Sequence, residues 1–318
     1  MPVRSLRGSL PEIMERVAGA PLVLVLLDFD GTLAPYQTEP KAALIPDPAR
    51  EWLVEIARSP RVTVGIVSGR RLKDLIQRVG LEGIVYAGNH GIEVRGRGLH
   101  FLEPFAFLLE PALKEVLSEL TTRLGGLPHV WIEDKVLTGT VHVMGAEAAP
   151  IAQAAEIIAS IMRVTPSFRC LAGRHSFDIL PQNGWTKGTA AQWIQHGLGM
   201  DEALVIYAGD DVSDEEAFSG LPGAITIKVG SEPTEASYRA ESPVEVWALL
   251  AKLAGILSQP RTLDWPTADS DPSGCAVPCA ASSAAPAFGQ PRGQRDQANP
   301  ETRTTSSITE SRPAFCLH

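Results

Sequence analysis

Four short segments of the chain carry side chains whose types and spacing could move a phosphoryl group. Asp28-Phe29-Asp30-Gly31-Thr32 closes an apolar run at 22–27. Side chains two apart in an extended segment point the same way, so Asp28 and Asp30 converge at one strand end. Open α/β sheets bind ligands at that carboxyl edge. Two close carboxylates repel unless a cation or a shared proton relieves them. The pair can therefore supply a nucleophile or metal ligand beside a proton donor. An acidic strand-to-turn cap, with Gly31 making the turn, is the plainer reading of the same residues.

Gly209-Asp210-Asp211-Val212-Ser213-Asp214 repeats the arrangement after a second apolar run. Asp210 lands at its end, able to share a hard cation such as Mg²⁺ with Asp28 through oxygen ligands. Ser213 and Glu216 have capping-box spacing, which predicts a helix start there; a solvated acidic loop is the alternative. Ser68-Gly69-Arg70 also follows an apolar run and is expected to open a helix, a geometry that either caps the backbone or binds phosphate through N–H groups and the hydroxyl. Lys187, in Trp185-Thr186-Lys187-Gly188, sits at another predicted helix start, against the helix dipole. That misfit points to neutralising a phosphate and the acidic cluster, the alternative being a plain surface lysine.

These segments need elements to hold them at one sheet edge. Apolar runs at 22–27, 62–67, 84–87, 203–208 and 224–228 read as strands, and 48–58, 70–79, 187–196, 214–219 and 244–256 as helices. Strands apolar throughout, alternating with helices, predict a doubly wound parallel α/β sheet. The middle differs: a helix over 105–124, strands at 130–135 and 138–143, a helix over 147–162, then strands at 165–171 and 175–180. That order predicts an inserted α+β cap domain at 96–180, within a core formed by 1–95 and 181–257. A cleft between two domains favours a ligand site. From 258 to 318 the composition turns to Pro, Ser, Ala, Thr and Gln without apolar periodicity, which predicts a disordered low-complexity tail.

The chain has 318 residues, a formal net charge of −9 and 44% hydrophobic residues. The acidic balance argues against nucleic acid as a partner and requires local positive charge wherever phosphate is handled. No apolar run approaches the roughly 20 residues that span a bilayer, so no membrane partner is expected. Of four cysteines, Cys170, Cys275, Cys279 and Cys316, only the first lies before the tail. No disulfide or zinc spacing emerges, which fits a cytoplasmic protein. Nothing in the sequence specifies an oligomeric state.

In order and spacing, the four segments resemble the motifs of the haloacid dehalogenase superfamily. The resemblance implies Asp28 as nucleophile and Asp30 as acid, then base. It also implies Mg²⁺ on Asp28, the Asp30 backbone carbonyl and Asp210, with Asp211 or Asp214 supporting its waters, and Ser68 and Lys187 on the phosphoryl group. The insert is similar to the cap of the trehalose-6-phosphate phosphatase family. Gly88-Asn89-His90-Gly91 matches the segment before that cap, Glu133-Asp134-Lys135 its E-x-K, and His142 the histidine on the next strand. The implied substrate contacts are Ser68, Gly69, Arg70, Asn89, His90, Gly91, Glu133, Lys135, His142 and Asp178, around a small sugar phosphate. Val143-Met144 stand where the family usually has an aromatic and an arginine, Asp178 where it has a glutamate, and Leu180 where a basic residue is common. The implied activity is hydrolysis of trehalose 6-phosphate, with a glycosyl-3-phosphoglycerate as the alternative substrate. A receiver-like phosphorylated domain and a catalytically dead sugar-phosphate binder are the competing classes.

Overall fold

Five consecutive residues of sequence Val-Leu-Val-Leu-Leu can face water on neither side, and Val23–Leu27 is fully buried at the centre of a nine-stranded sheet. A computed structural model describes residues 3–37 and 40–257; the tail expected at 258–318 lies outside them. In chain order the elements are β1 (Arg4–Ser5), α1 (Leu6–Gly19), β2 (Val23–Leu27), α2 (Asp47–Ala57), β3 (Val62–Val67), α3 (Leu72–Val79) and β4 (Val85–Gly88). Next come β5 (Glu93–Gly96), β6 (Leu99–Leu102), α4 (Pro104–Leu108), α5 (Glu110–Leu124), β7 (Trp131–Asp134), β8 (Gly139–His142), α6 (Ala148–Met162), β9 (Phe168–Ala172) and β10 (Ser176–Pro181). The chain then returns through α7 (Lys187–Gly197), β11 (Leu204–Gly209), α8 (Val212–Gly220), β12 (Ile225–Val229), β13 (Tyr238–Ala240) and α9 (Pro243–Leu257).

The large sheet has the order β1-β13-β12-β11-β2-β3-β4-β5-β6. It is parallel from β1 to β4 and antiparallel across β4-β5-β6. Val23, Val25 and Leu27 pack with α1, α2, α3 and α9 on one face, while Leu24 and Leu26 pack with α7 and α8 on the other. This is the doubly wound α/β architecture the apolar runs imply. From β2 the chain proceeds to β3 on one side, while β11 flanks it on the other. The switch point therefore falls at the carboxyl end of β2, where Asp28 sits.

The second sheet, order β7-β8-β10-β9, is antiparallel throughout. Its alternation is clean. Ile132, Val141, Phe177 and Ile179 pack against α5 and α6, and the other parity faces the large sheet's carboxyl edge.

Four expectations are corrected. Residues 96–102 belong to the large sheet, because Gly96, Arg97 and Gly98 all have positive φ and fold β6 back onto β5. The expected helix over 105–124 is two helices, since Pro111 has no N–H to donate and the chain restarts at Glu110. Ser68 does not cap a helix: α3 begins at Leu72, and the Ser68 hydroxyl accepts the Arg70 N–H in a preceding turn. The capping box of α8 is Asp211 with Asp214, not Ser213 with Glu216, because the helix starts two residues earlier than that spacing requires. Helix α1 and strand β13 have no counterpart in the sequence reading.

The 3₁₀ turn Asn89–Gly91 joins β4 to β5 and packs on α7. Gly91 has φ +88, and a Cβ there would lie 2.2 Å from that of Ala190. Gly91→Ala is expected to lower unfolding free energy by roughly 1–3 kcal/mol in urea titration. Gly19→Ala, with nothing within 4 Å of the added carbon, should leave the midpoint nearly unmoved.

Candidate active site

Asp28 follows β2 directly, its N–H donating to Ala208 O of β11 at 2.9 Å. Its buried Oδ1 accepts from Lys187 Nζ at 2.7 Å, and the same ammonium donates to Asp214 Oδ1 at 2.9 Å. Lys187 is the first residue of α7, held there by a reciprocal Thr186–Thr189 cap. Asp214 is spent entirely on the protein. Its Oδ2 accepts the N–H groups of Asp210 and Asp211, and its Oδ1 also accepts the Tyr207 hydroxyl.

Asp210 ends β11 with Tyr36 Oη at 2.8 Å from Oδ2 and Thr32 Oγ1 at 3.4 Å from Oδ1. Gly31 is obligatory beside it. With φ +83, a Cβ at that position would meet Asp210 Oδ2 at 2.4 Å. Asp28, Asp210 and Asp214 each offer a carboxylate oxygen within 4.8 Å of the others. Burial pushes the Asp28 carboxyl well above the usual carboxylate range, with Asp214 and Asp210 adding to the push against Lys187. Burial, then Asp214, pushes Asp210 up to about 7. Burial opposes charge on Lys187 too, but Asp214 and Asp28 outweigh it and hold the ammonium above its ordinary value. Three buried carboxylates thus face one ammonium. The nearby Lys228 is bound to Asp210 O and paired with Glu215. An all-oxygen donor set with two uncompensated charges fits a hard divalent cation.

Asp30 lines the same cavity but is engaged elsewhere. Arg70 Nε and Nη2 donate to its two oxygens at 2.6 and 2.7 Å, a bidentate pair, while Arg70 Nη1 reaches Asp74 at 2.9 Å. Asp211 accepts from Val212 N at 2.8 Å and from Arg174 N of the second sheet's hairpin at 3.2 Å. Of the five candidate metal residues, three carboxylates therefore come together, and those of Asp30 and Asp211 serve other partners.

The cavity has a volume of about 940 Å³ and lies between the carboxyl edge of the large sheet and the polar face of the small one. Asp28, Asp30, Ser68, Gly69, Arg70, His90, Glu133, Lys135, His142, Asp178 and Lys187 all line it. Lys135 Nζ donates to Gly69 O at 2.9 Å and lies 3.8 Å from Asp178 Oδ1. Burial works against the charge on Asp178, but Lys135 holds its carboxyl below the usual range. Glu133 bonds His142 Nε2 at 2.9 Å, which keeps its carboxyl low in spite of partial burial. His90 is buried with φ +59, and among the described residues neither ring nitrogen has a hydrogen-bond partner, Asp178 Oδ2 lying 3.6 Å from Nε2. Burial pushes it down to about 4, so the imidazole is neutral and has donor and acceptor capacity to offer.

Two expected contacts are corrected. Asn89 spends its amide on Glu93 at 2.7 Å and on Thr138 of the small sheet at 2.8 Å, and Gly91 packs on α7; neither lines the cavity. Tyr36, Trp131, Thr140 and His175 line it without having been singled out. Strand parity with Glu133 was the available signal for Trp131. Tyr36 lies in an irregular loop and carries none.

Comparison with known proteins places this geometry in a family. The family model described as Trehalose-phosphatase matches residues 26–244. The trehalose-phosphate phosphatase of Mycobacterium marinum is 34% identical over 248 residues, covering 75% of this chain and 63% of the relative. This chain thus spans less than two thirds of the length of such curated relatives. Among solved structures, the C. albicans trehalose-6-phosphate phosphatase C-terminal domain superposes with TM-score 0.69 at 20% identity, covering 80% of this chain and 98% of that one. The Aspergillus fumigatus trehalose-6-phosphate phosphatase has TM-score 0.58 at 26% identity, covering 80% and 99%. With its four motif segments inside the matched span and its strand order built around Asp28, the chain belongs to the trehalose-phosphatase family.

Proposed function

We propose that this chain hydrolyses trehalose 6-phosphate to trehalose and phosphate through a phosphorylated Asp28, with Mg²⁺ as cofactor. The observation that carries the reading is Asp28 itself: a buried carboxylate at the switch point, 2.7 Å from Lys187, opening into a cavity whose far wall is polar. An Asp28 oxygen attacks phosphorus while the bond from phosphorus to the sugar oxygen breaks. Lys187 and Ser68 neutralise and orient the transferring group. Asp30 supplies the proton to the departing sugar oxygen, which leaves as a hydroxyl. It then removes one from the water that cleaves the Asp28–phosphorus bond and releases phosphate. Arg70 now covers both Asp30 oxygens, so Asp30 must exchange that guanidinium for a proton before it can donate.

Asp28, Asp210 and the Asp30 backbone carbonyl would hold the cation, with Asp214 fixing the loop behind them. When bound, Mg²⁺ supplies Lewis-acid charge to the phosphoryl oxygens and relieves the repulsion among the three carboxylates. Glu133, Lys135, His142, His90 and Asp178 form the wall that would pair the sugar hydroxyls.

Asp28→Asn should abolish turnover, because it keeps volume and removes the nucleophilic charge. Steady-state assay with circular dichroism to check the fold tests this, and substantial retained activity would overturn the role. A panel of sugar phosphates tests the substrate. Faster turnover of a glycosyl-3-phosphoglycerate than of trehalose 6-phosphate would move the assignment to that ester.

Metal linkage gives a separate readout. A carboxyl raised in the fold holds its proton to higher pH than in the unfolded chain. Asp210 should therefore cost the metal-free protein stability as pH rises from about 4 to about 7 and no more above that, a loss read as the difference from Asp210→Asn. Mg²⁺ should raise the melting temperature most above about pH 7, and Asp210→Asn should shrink that gain. A melting curve indifferent to Mg²⁺ across the range would count against the cation site.

A further inference from the structure

Trp131 and Glu133 of β7, with Lys135 just beyond its end, form a row of side chains that lines the cavity. Burial deepens along it: the indole is 46% exposed and Lys135 only 7%. Lys135 reaches Gly69 O, next to Ser68 at the phosphate end. At about 3.3 Å per residue, Trp131 lies roughly 13 Å along the strand from Lys135. That is the reach of two linked pyranose rings rather than one.

The indole is held in place. One face lies on the His142 imidazole, with centroids 3.8 Å apart and planes 11° from parallel. The two residues are directly opposed across β7 and β8, and Glu133 Oε2 lies 2.9 Å from His142 Nε2. Trp131 lines the cavity and leaves about half of its surface uncovered. A large aromatic surface kept flat and half in water gains free energy from any apolar face that covers it.

We propose that Trp131 is the stacking platform for the distal hexopyranose of the substrate, and so selects disaccharide phosphates over shorter phosphate esters. The inference rests on the sugar-phosphate reading of the cavity. A gluco-configured ring carries its hydroxyls equatorially, which leaves C–H groups on both faces. One such face fits the indole while the hydroxyl rim meets Glu133, His142 and Asp178.

The test compares kcat/KM for trehalose 6-phosphate with that for p-nitrophenyl phosphate, in the full chain with Mg²⁺. Trp131→Ala should lower this ratio about tenfold or more, chiefly through KM for the disaccharide, and Trp131→Phe should restore most of it. Trehalose should change the indole emission of the wild type, and that change should be lost in Trp131→Phe. An unchanged ratio in Trp131→Ala, or an equal emission change in Trp131→Phe, overturns the platform. A wild type that prefers another ester overturns the substrate assignment instead, and the emission difference then still decides the platform.

Discussion

The ammonium of Lys187, buried between Asp28 and Asp214, is the contact on which the rest of the structure depends. Neither Asp28 nor Lys187 could remain charged there alone, since burial disfavours both. Each comes from a different element: Asp28 from the end of β2, Lys187 from the first turn of α7, Asp214 from the first turn of α8. The parallel register of β2 and β11 and the packing of α7 on α8 serve to bring these three together. The arrangement remains short of positive charge. A divalent cation would relieve that deficit, as the proposed hydrolysis requires.

The small sheet closes the other side of the cavity through polar contacts more than apolar ones. Lys135 sits on Gly69 O, Thr138 on Asn89, Arg169 on Glu216, and the Arg174 N–H on Asp211. A small apolar cluster of Leu137 and Val136 with Ile92 and Trp185 adds to them, separate from the packing that joins α5 and α6 to their own sheet. Each sheet thus keeps its own apolar core.

Much of this was legible in the sequence because buried parallel strands read as unbroken apolar runs. The residues that end such runs, Asp28, Ser68 and Asp210, therefore announce themselves. The resemblance of the inserted segment then marked Glu133, Lys135 and His142, and all three face the cavity. What stayed hidden depends on partners remote in sequence. The turn at Ser68-Gly69-Arg70 is shaped by Asn89 and His90, whose N–H groups bond Arg70 O and Ser68 O, so local capping rules placed the helix start too early. The β5–β6 hairpin relies on Arg97 in a left-handed conformation between two glycines, which no apolar pattern records. Tyr36 reaches Asp210 from an irregular loop, where periodicity has nothing to say.

Asp214 both closes the cap of α8 and balances Lys187. The winding of that helix and the charging of the site are therefore one event. With α8 unwound, the carboxylate that steadies Lys187 beside Asp28 would be displaced, so the electrostatics of the cavity depend on that helix being formed.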